Sequence, residues 1–354
     1  MSIERDRDAI DKIDEQILAL LNQRAKLALA IGRKKRRRAK AQFAPARERQ
    51  IFDRLLAANP GPLPDESLTS IYREILAVHR QLELPATIAY LGPAGTFTHM
   101  AVLRKFGAHA DASPAESIAD VFNQVEKGAA TFGVVPMENS TEGVINDTLD
   151  MFVESSLDIC AELYLDVDHY LVSRSPIEEV TRIYSMRQPL AQCRVWVKTN
   201  LPRAEIKDAA TTSVAAQLAA SEPSAAAIGT KLAAELYGLN IIGEKIQDSP
   251  YNRTRFLVIG RSAHSEPSGR DKVSIMFAVR HEAGALYQAL AALDKYDVNM
   301  TMIESRPTKK TPWEYIFFVD FQGHISDPAV VHALEHLGSA TLFMRVLGSY
   351  PEAE

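Results

Sequence analysis

The sequence predicts a chain of three domains: an all-α segment, a two-lobed α/β segment and an α+β segment, in that order. Two changes of rhythm carry this reading. Up to about residue 86 the apolar residues recur at helical spacing, and from Thr87 they come as short runs separated by helical stretches. Beyond the polar segment HSEPSGRDK (264–272), which contains both Gly and Pro, the runs settle into the order strand, helix, strand, strand, helix, strand. The expected boundaries are 1–86, 87–264 and 272–350.

In the first segment Ile10, Ile13, Ile17, Leu20, Leu27 and Ile31 alternate at three and four residues, as a helix seam does, and no Gly or Pro precedes Gly32. A second helix is expected after Pro45, running to about residue 58. NPGPLP (59–64) is a loop, and a third helix starts with Asp65 as its cap and ends before Pro85. One long helix and two shorter ones close a poor core alone, so a helical dimer is expected.

In the second segment IAYLG, FGVVP, YLVS, RIYS, AAAIG and FLVIG alternate with helical stretches such as 118–127 and 213–220. That alternation predicts an α/β domain with largely parallel strands, long enough for two lobes. The third segment predicts strands at 273–279, 298–305, 314–321 and 341–347 and helices at 283–296 and 328–336. This βαββαβ order is the ferredoxin-like plan.

Composition narrows the class of function. With 46% hydrophobic and 24% charged residues the chain can bury cores and is not a disordered segment. A net charge of −5 gives no general attraction to nucleic acid. Cys160 and Cys193 are the only cysteines, too few for a disulfide framework or a metal site, and they suit a reducing cytoplasm. The N-terminus is charged from Glu4 onward, and no apolar run approaches the ~20 residues of a membrane helix. A soluble cytoplasmic protein, with neither nucleic acid nor membrane as partner, is expected.

One charge breaks the helical seam. Arg24 stands between Leu20 and Leu27, where the spacing calls for an apolar residue, and a charge on a packing face is costly unless paired. Either its aliphatic stem packs while its head reaches water, or it marks an anion site inside the bundle. Lys35 lies ~16 Å further along the axis on nearly the same face, so the two cations can converge on a small dianion. The basic run RKKRRRAK (33–40) has no interleaved aromatics, and a solvated helix face is expected there.

At this point the residues resemble a family. RDAIDKIDEQILALLNQRAKLALAIGRKK followed by PARERQ is similar to the all-helical chorismate mutases. The resemblance implies that Arg24, Lys35 and Arg47 bind the substrate carboxylates and ether oxygen, and that Glu48 meets the ring hydroxyl. It also implies that Arg7, ~25 Å from Arg24 along the same helix, serves the site of a partner subunit. A Claisen rearrangement needs no nucleophile, acid or metal; orientation and fixed charge suffice. Glu83 matches a position that faces the ether oxygen, where a glutamate must be protonated to donate a hydrogen bond. Ala44 replaces an acidic residue of some relatives, and His79 stands where a small polar residue is common.

LGPAGTFTHMA (91–101) reads as strand, glycine loop and helix, and it contains neither GxGxxG nor GxxxxGK[ST]. FGVVPMENSTEGVI (132–145) is an apolar strand with polar residues at its carboxyl end, where α/β folds place ligand crevices. NRTRFLVIG (252–260) sets Thr254 and Arg255 at the start of another strand. Each pattern alone also fits a turn with satisfied hydrogen bonds. Together, over about residues 88–260, they resemble the prephenate dehydratases. That resemblance implies a periplasmic-binding-protein-like fold, Thr254 as proton donor and Arg255 as a carboxylate binder. It implies Asn139, Ser140, Thr141, Thr212 and Ser213 as substrate hydrogen-bonders, and no cofactor or metal. In YSMRQPLAQC (184–193), Met186 stands where relatives usually carry His, so that histidine is not an essential catalyst here.

GAL (284–286), Asn299 and ESRP (304–307) resemble the ACT domain fused to such dehydratases. The resemblance implies a phenylalanine site between two subunits, with Gly284, Ala285, Leu286, Asn299, Glu304, Ser305 and Arg306 as its contacts; a purely structural dimerisation domain is the alternative. In order, the three segments resemble a bifunctional chorismate mutase–prephenate dehydratase, which converts chorismate through prephenate to phenylpyruvate and is feedback-inhibited by phenylalanine. Arogenate as the dehydratase substrate and a non-catalytic phenylalanine sensor are the rivals. If Glu83 must be protonated, mutase activity falls as pH rises and Glu83→Gln flattens the profile; an unchanged profile in that variant, measured by chorismate consumption across pH, rejects the assignment.

Overall fold

The computed structural model describes residues 3–38, 45–83, 85–261, 265–307 and 315–353; Ala44 lies outside them. Three helices open the chain: α1 (Ile3–Arg38), α2 (Pro45–Ala57) and α3 (Asp65–Glu83). Helix α1 continues through Gly32, and its packing gives the reason. A Cβ at Gly32 would lie 2.0 Å from the backbone oxygen of Glu83, so only glycine lets α1 cross the end of α3 this closely. The crossing costs ~1 kcal/mol of helix propensity at Gly32. It sets Glu83 beside Lys35, one turn further along α1. Ile10, Ile13, Ile17 and Leu20, the N-terminal part of the seam, are exposed on this single chain.

The second domain has two lobes. The first contains β1 (Thr87–Leu91), α4 (Phe97–Phe106), β2 (Asp111–Ala115), α5 (Ile118–Glu126), β3 (Phe132–Asn139), β4 (Gly143–Val144), α6 (Asn146–Glu154) and β5 (Asp158–Asp166). The second contains β6 (Tyr170–Ser173), β7 (Arg182–Ser185), α7 (Arg187–Gln192), α8 (Arg194–Asn200), β8 (Glu205–Asp208), α9 (Thr212–Ser221), β9 (Ala225–Gly229), α10 (Lys231–Tyr237) and β10 (Asn240–Gly243). The chain then returns to the first lobe along β11 (Arg253–Gly260).

The sheet orders are β2-β1-β3-β11-β5, with β4 beside β3, and β10-β6-β9-β7-β8. Both sheets are mixed, which corrects the expectation of largely parallel strands. The chain leaves the first lobe on β5 and comes back on β11, so these neighbours run in opposite directions, and β11 is also antiparallel to β3. The β3–β11 register slips between Arg255 and Phe256, a bulge beside the strand ends that matter most.

The third domain follows the expected βαββαβ order: β12 (Asp271–Ala278), α11 (Ala285–Lys295), β13 (Met300–Pro307), β14 (Tyr315–Gln322), α12 (Pro328–Ser339) and β15 (Phe343–Pro351). Its antiparallel sheet has the order β13-β14-β12-β15. One face carries the two helices over Val273, Ile275, Phe277, Val319 and Phe321. The other face joins the first lobe in one apolar core, where Met276, Phe318, Leu347 and Tyr350 meet Leu149, Phe152, Leu257 and Ile259. Strand β15 lies so close to β5 that a Cβ on Gly348 would sit 2.3 Å from the backbone oxygen of Ile159.

Four charges are buried in that interface. Arg255 donates to Glu162 at 2.7 Å and to Asp320 at 2.6 Å, and Lys272 reaches Glu162 at 2.8 Å; all four side chains are at most 5% exposed. Burial alone would raise the Glu162 carboxyl, but Arg255 and Lys272, with the Ala353 N–H, outweigh it and hold it below the usual carboxylate range. Two cations balance two carboxylates, as burial requires.

Gly32→Ala forces α1 away from α3 at a backbone contact, an overpacking cost of about 1–3 kcal/mol. On the activities that the resemblance implies, the variant is expected to lose most chorismate turnover and to keep prephenate turnover, the two assayed separately; equal chorismate turnover would mean that the crossing does not set the site.

Candidate active sites

The helical domain closes around a cavity of about 450 Å³. Arg24, Lys35, Arg47, Glu48 and Glu83, all expected from sequence, line it, together with Arg54, Tyr72, His79 and Arg80. Its described lining holds five Lys or Arg side chains against Glu48 and Glu83, a balance suited to a dianion. Lys35 Nζ lies 2.6 Å from Glu83 Oε1. Arg80 donates twice to Glu48, from Nε at 2.9 Å and Nη2 at 2.6 Å, both to Oε1. His79 is buried and bonds the Ile75 carbonyl through Nδ1 at 2.6 Å, which turns its ring into the bundle. The aliphatic–apolar part of the lining comes from Leu27, Ile31, Ile51, Leu55 and Leu76. Arg7 is not part of this lining.

The second site lies where β3 and β11 end, between the lobes. Asn139 and Thr254 are register partners on these strands, and the amide of Asn139 donates to Thr254 Oγ1 at 2.8 Å. A closed ring of hydrogen bonds holds that amide. Asn139 Nδ2 donates to Asn252 Oδ1 at 2.7 Å, and Asn252 Nδ2 donates to Gln192 Oε1 at 3.1 Å. Gln192 Nε2 donates to Thr141 Oγ1 at 3.4 Å, and Thr141 Oγ1 donates back to Asn139 Oδ1 at 2.6 Å. Backbone N–H groups of Thr141 and Glu142 also bind Asn139 Oδ1, which fixes the amide's orientation. Thr254 therefore accepts through its oxygen, and its hydroxyl proton has no acceptor among the described residues.

The ring spans both lobes, because Gln192 ends α7. His169, between β5 and β6, bonds Gln192 Oε1 at 2.8 Å through Nε2. Burial pushes the His169 imidazole below its ordinary value, so it is neutral near pH 7 and Nε2 carries the proton. The glycine loop of the first lobe presses on the second as well. Thr230 Oγ1 donates to the Gly95 carbonyl at 2.6 Å, and Ser213 Oγ donates to the Ala94 carbonyl. Gly95 has φ +89°, and a Cβ there would meet Ser213 Oγ at 3.0 Å, so conformation and proximity both call for glycine.

Several sequence expectations change in this light. Arg255 does not reach the cleft. Side chains alternate along a strand, so with Thr254 facing Asn139 its neighbour faces the third domain, where its guanidinium is taken up by Glu162, Asp320 and Tyr350. Ser140 bonds backbone only, donating to the Tyr251 carbonyl at 3.0 Å and accepting from Arg253 N at 2.9 Å. Ser213 joins the lobes, and its hydroxyl also lies 3.1 Å from Tyr237 OH. Thr212 is buried in the first turn of α9, which Thr211 caps. Sequence reading passed over Asn252, Gln192 and His169. The first two stand inside the quoted motifs NRTRF and YSMRQPLAQC, where a buried amide beside a polar strand end was the available signal.

In the third domain Ala285 and Leu286 line a cavity of about 150 Å³ with Val279, Arg280, Tyr315 and Phe317. Gly284 caps α11 with φ 83°. Asn299, Glu304, Ser305 and Arg306 are not in that lining. Asn299 donates to Gln322 at 3.0 Å. Glu304 and Ser305 lie on β13, an edge strand. Arg306 donates to Asp150 on α6 at 2.8 and 2.9 Å in this single chain.

Comparison with known proteins agrees with these three parts. The family model for chorismate mutase type II matches residues 6–84, that for prephenate dehydratase matches 88–264, and that for the ACT domain matches 273–338. The bifunctional chorismate mutase/prephenate dehydratase of Aquifex aeolicus is 47% identical over 352 residues, covering 98% of this chain and 97% of that protein. The protein of the same name from Pseudomonas aeruginosa is 40% identical, covering 97% and 96%. Among solved structures, prephenate dehydratase from Arthrobacter aurescens in complex with L-Phe is 34% identical with a TM-score of 0.70, over 75% of this chain and 90% of that one. GqqA, described as a novel type of quorum-quenching acylase, also gives a TM-score of 0.70, at 28% identity over 75% of this chain and 97% of its own. Matched from end to end rather than in the dehydratase and ACT parts alone, this chain belongs to the bifunctional chorismate mutase/prephenate dehydratase family.

Proposed function

We propose that the helical cavity folds chorismate for its rearrangement to prephenate and that the interlobe cleft then converts prephenate to phenylpyruvate. In the first step the ether C–O bond breaks as a C–C bond forms, and no group leaves. Arg24 and Arg47 are suited to clamp the two carboxylates, with Lys35 and Glu83 at the ether oxygen. The fixed cations, with Glu83 protonated so that it donates a hydrogen bond, stabilise the separation of charge in the transition state without reorganising. The apolar side chains of the lining support a compact rather than extended substrate.

In the second step the ring C–O bond breaks and the hydroxyl leaves as water, while the ring carboxylate leaves as CO2 and its electron pair enters the aromatic ring. The observation that carries this reading is the Thr254 hydroxyl, whose oxygen accepts from Asn139 and whose proton is left for a group in the cleft. A neutral hydroxyl is a weak acid, so proton transfer must run with the gain of aromaticity. Arg255 takes no part in binding the substrate in this reading. Asn139 and Thr141 act by orienting Thr254 within the amide ring.

Phenylalanine is the proposed effector at the ACT domain. Among the described residues that line the GAL cavity none comes from β13, which is compatible with a ligand held between two copies. The exposed stripe Ile10, Ile13, Ile17 and Leu20 on α1 favours a helical dimer, with Arg7 serving the partner's cavity. Among the described residues no helix is long and apolar enough to cross a membrane, and the two buried free cysteines suit a reducing cytoplasm.

Incubation with chorismate alone, followed by separate detection of prephenate and phenylpyruvate with and without phenylalanine, tests the whole reading. Phenylpyruvate that forms and is suppressed by phenylalanine supports it; turnover of neither chorismate nor supplied prephenate rejects it. Thr254→Val keeps the side-chain volume and removes the proton. It is expected to lower dehydratase kcat by about 10²–10⁴-fold with KM little changed and mutase activity intact. A Thr254→Val enzyme with wild-type kcat would end the assignment of the proton donor.

A further inference from the structure

Thr254 and Arg255 are adjacent on β11 and face opposite ways, one toward the interlobe cleft and one into the third domain. The bonds of the Arg255 guanidinium lead across that boundary or brace it. Nε meets Glu162 on β5, Nη1 meets Asp320 on β14, and Nη2 meets Tyr350 OH on β15 at 3.0 Å. Tyr350 OH in turn lies 2.6 Å from Ser274 Oγ on β12, and Lys272 of the same strand holds Glu162 from the other side. Two strands of the ACT sheet, β14 and β15, thus bond one guanidinium, and β12 reaches it through Tyr350 and Glu162. The fourth, β13, also touches it: Met302 Sδ lies 3.7 Å from Arg255 Nη1. Met302 is two residues from Glu304, on the strand expected to contact the effector.

Such a cluster is poorly suited to gradual adjustment. Its charges balance only as a set, and displacing one partner leaves another charge buried without a counter-ion. A shift of β13 or β14 relative to β12 must therefore move Arg255 or break its bonds. The β3–β11 bulge next to Arg255 is where such a movement would reach Asn139 and Thr254, because the register slips there.

We propose that Arg255 is a positioning residue, acting on the dehydratase reaction through Thr254 rather than on the substrate. Asp320 and Tyr350, which it bonds, and Lys272, which shares Glu162 with it, are then the elements that carry the state of the ACT domain to the cleft. This inference rests on the reading that phenylalanine binds the ACT domain and inhibits the dehydratase.

The test uses the full-length protein with Lys272→Met and Asp320→Asn together, which removes one charge of each sign and leaves Arg255 paired with Glu162. Phenylalanine binding, read by calorimetry, is expected within about threefold of wild type, while the fraction of dehydratase activity that saturating phenylalanine removes falls to about half or less of the wild-type fraction. Tyr350→Phe, which removes a single hydroxyl, is expected to shift inhibition in the same direction by less and decides the matter should the double variant not fold. Arg255→Lys, unable to span three partners, is expected to lower kcat with KM for prephenate unchanged. Inhibition equal to wild type in variants that still bind phenylalanine overturns the proposal. So does an Arg255→Lys enzyme whose KM rises tenfold at constant kcat, which would make Arg255 a substrate clamp. A wild-type enzyme that neither binds phenylalanine nor responds to it overturns the functional reading itself, and that outcome is visible before any variant is made.

Discussion

The organisation of this molecule depends on four charges that have no access to water. Arg255, Glu162, Lys272 and Asp320 come from β11, β5, β12 and β14, and burial has stripped all of them of solvent. In a medium of low polarity none is tolerable without the others. The dehydratase lobe and the ACT sheet are therefore fixed in one relative position, with Tyr350 and the Ala353 N–H satisfying what the ion pairs leave over. The apolar core that surrounds the cluster supplies cohesion, and the charges supply register.

The same constraint explains how one strand serves two purposes. A β-strand presents successive side chains to opposite faces, so β11 offers Thr254 to the cleft and Arg255 to the neighbouring domain. The cleft side is held by neutral groups, a ring of amides and a hydroxyl that orient Thr254 without introducing charge. The far side is held by ion pairs. Catalytic chemistry that relies on a weak acid benefits from an environment in which no stronger donor competes, and the neutral His169 fits that pattern.

The helical domain solves a different problem with different means. Its substrate is a dianion and its reaction needs no proton transfer to a leaving group, so the site is a concentration of cations rather than a neutral ring. Arg24 interrupts the apolar seam of α1 because the seam there lines a cavity. Glycine at position 32 lets the end of α3 come close enough for Glu83 to face Lys35. Both features look like errors of patterning in a helix taken alone.

By itself the sequence determined the three-domain order, most helix and strand positions, and the residues that assemble the helical cavity. The order and the element positions are properties of local periodicity; of the cavity residues, Arg24 and Lys35 follow from spacing along α1, while Arg47, Glu48 and Glu83 came from the resemblance and Arg54, Tyr72 and Arg80 only from packing. It also marked Asn139 and Thr254, through motifs whose combination resembles the prephenate dehydratases rather than through any one strand pattern. Tertiary structure alone decided the rest. The mixed direction of the sheets follows from where β5 leaves and β11 returns. Asn252, Gln192 and His169 join the cleft only once the two lobes are brought together. Arg255, expected at a ligand, is drawn instead to Glu162 and Asp320, because a buried guanidinium goes where the fold places a carboxylate, and no spacing within the chain records which carboxylate that will be.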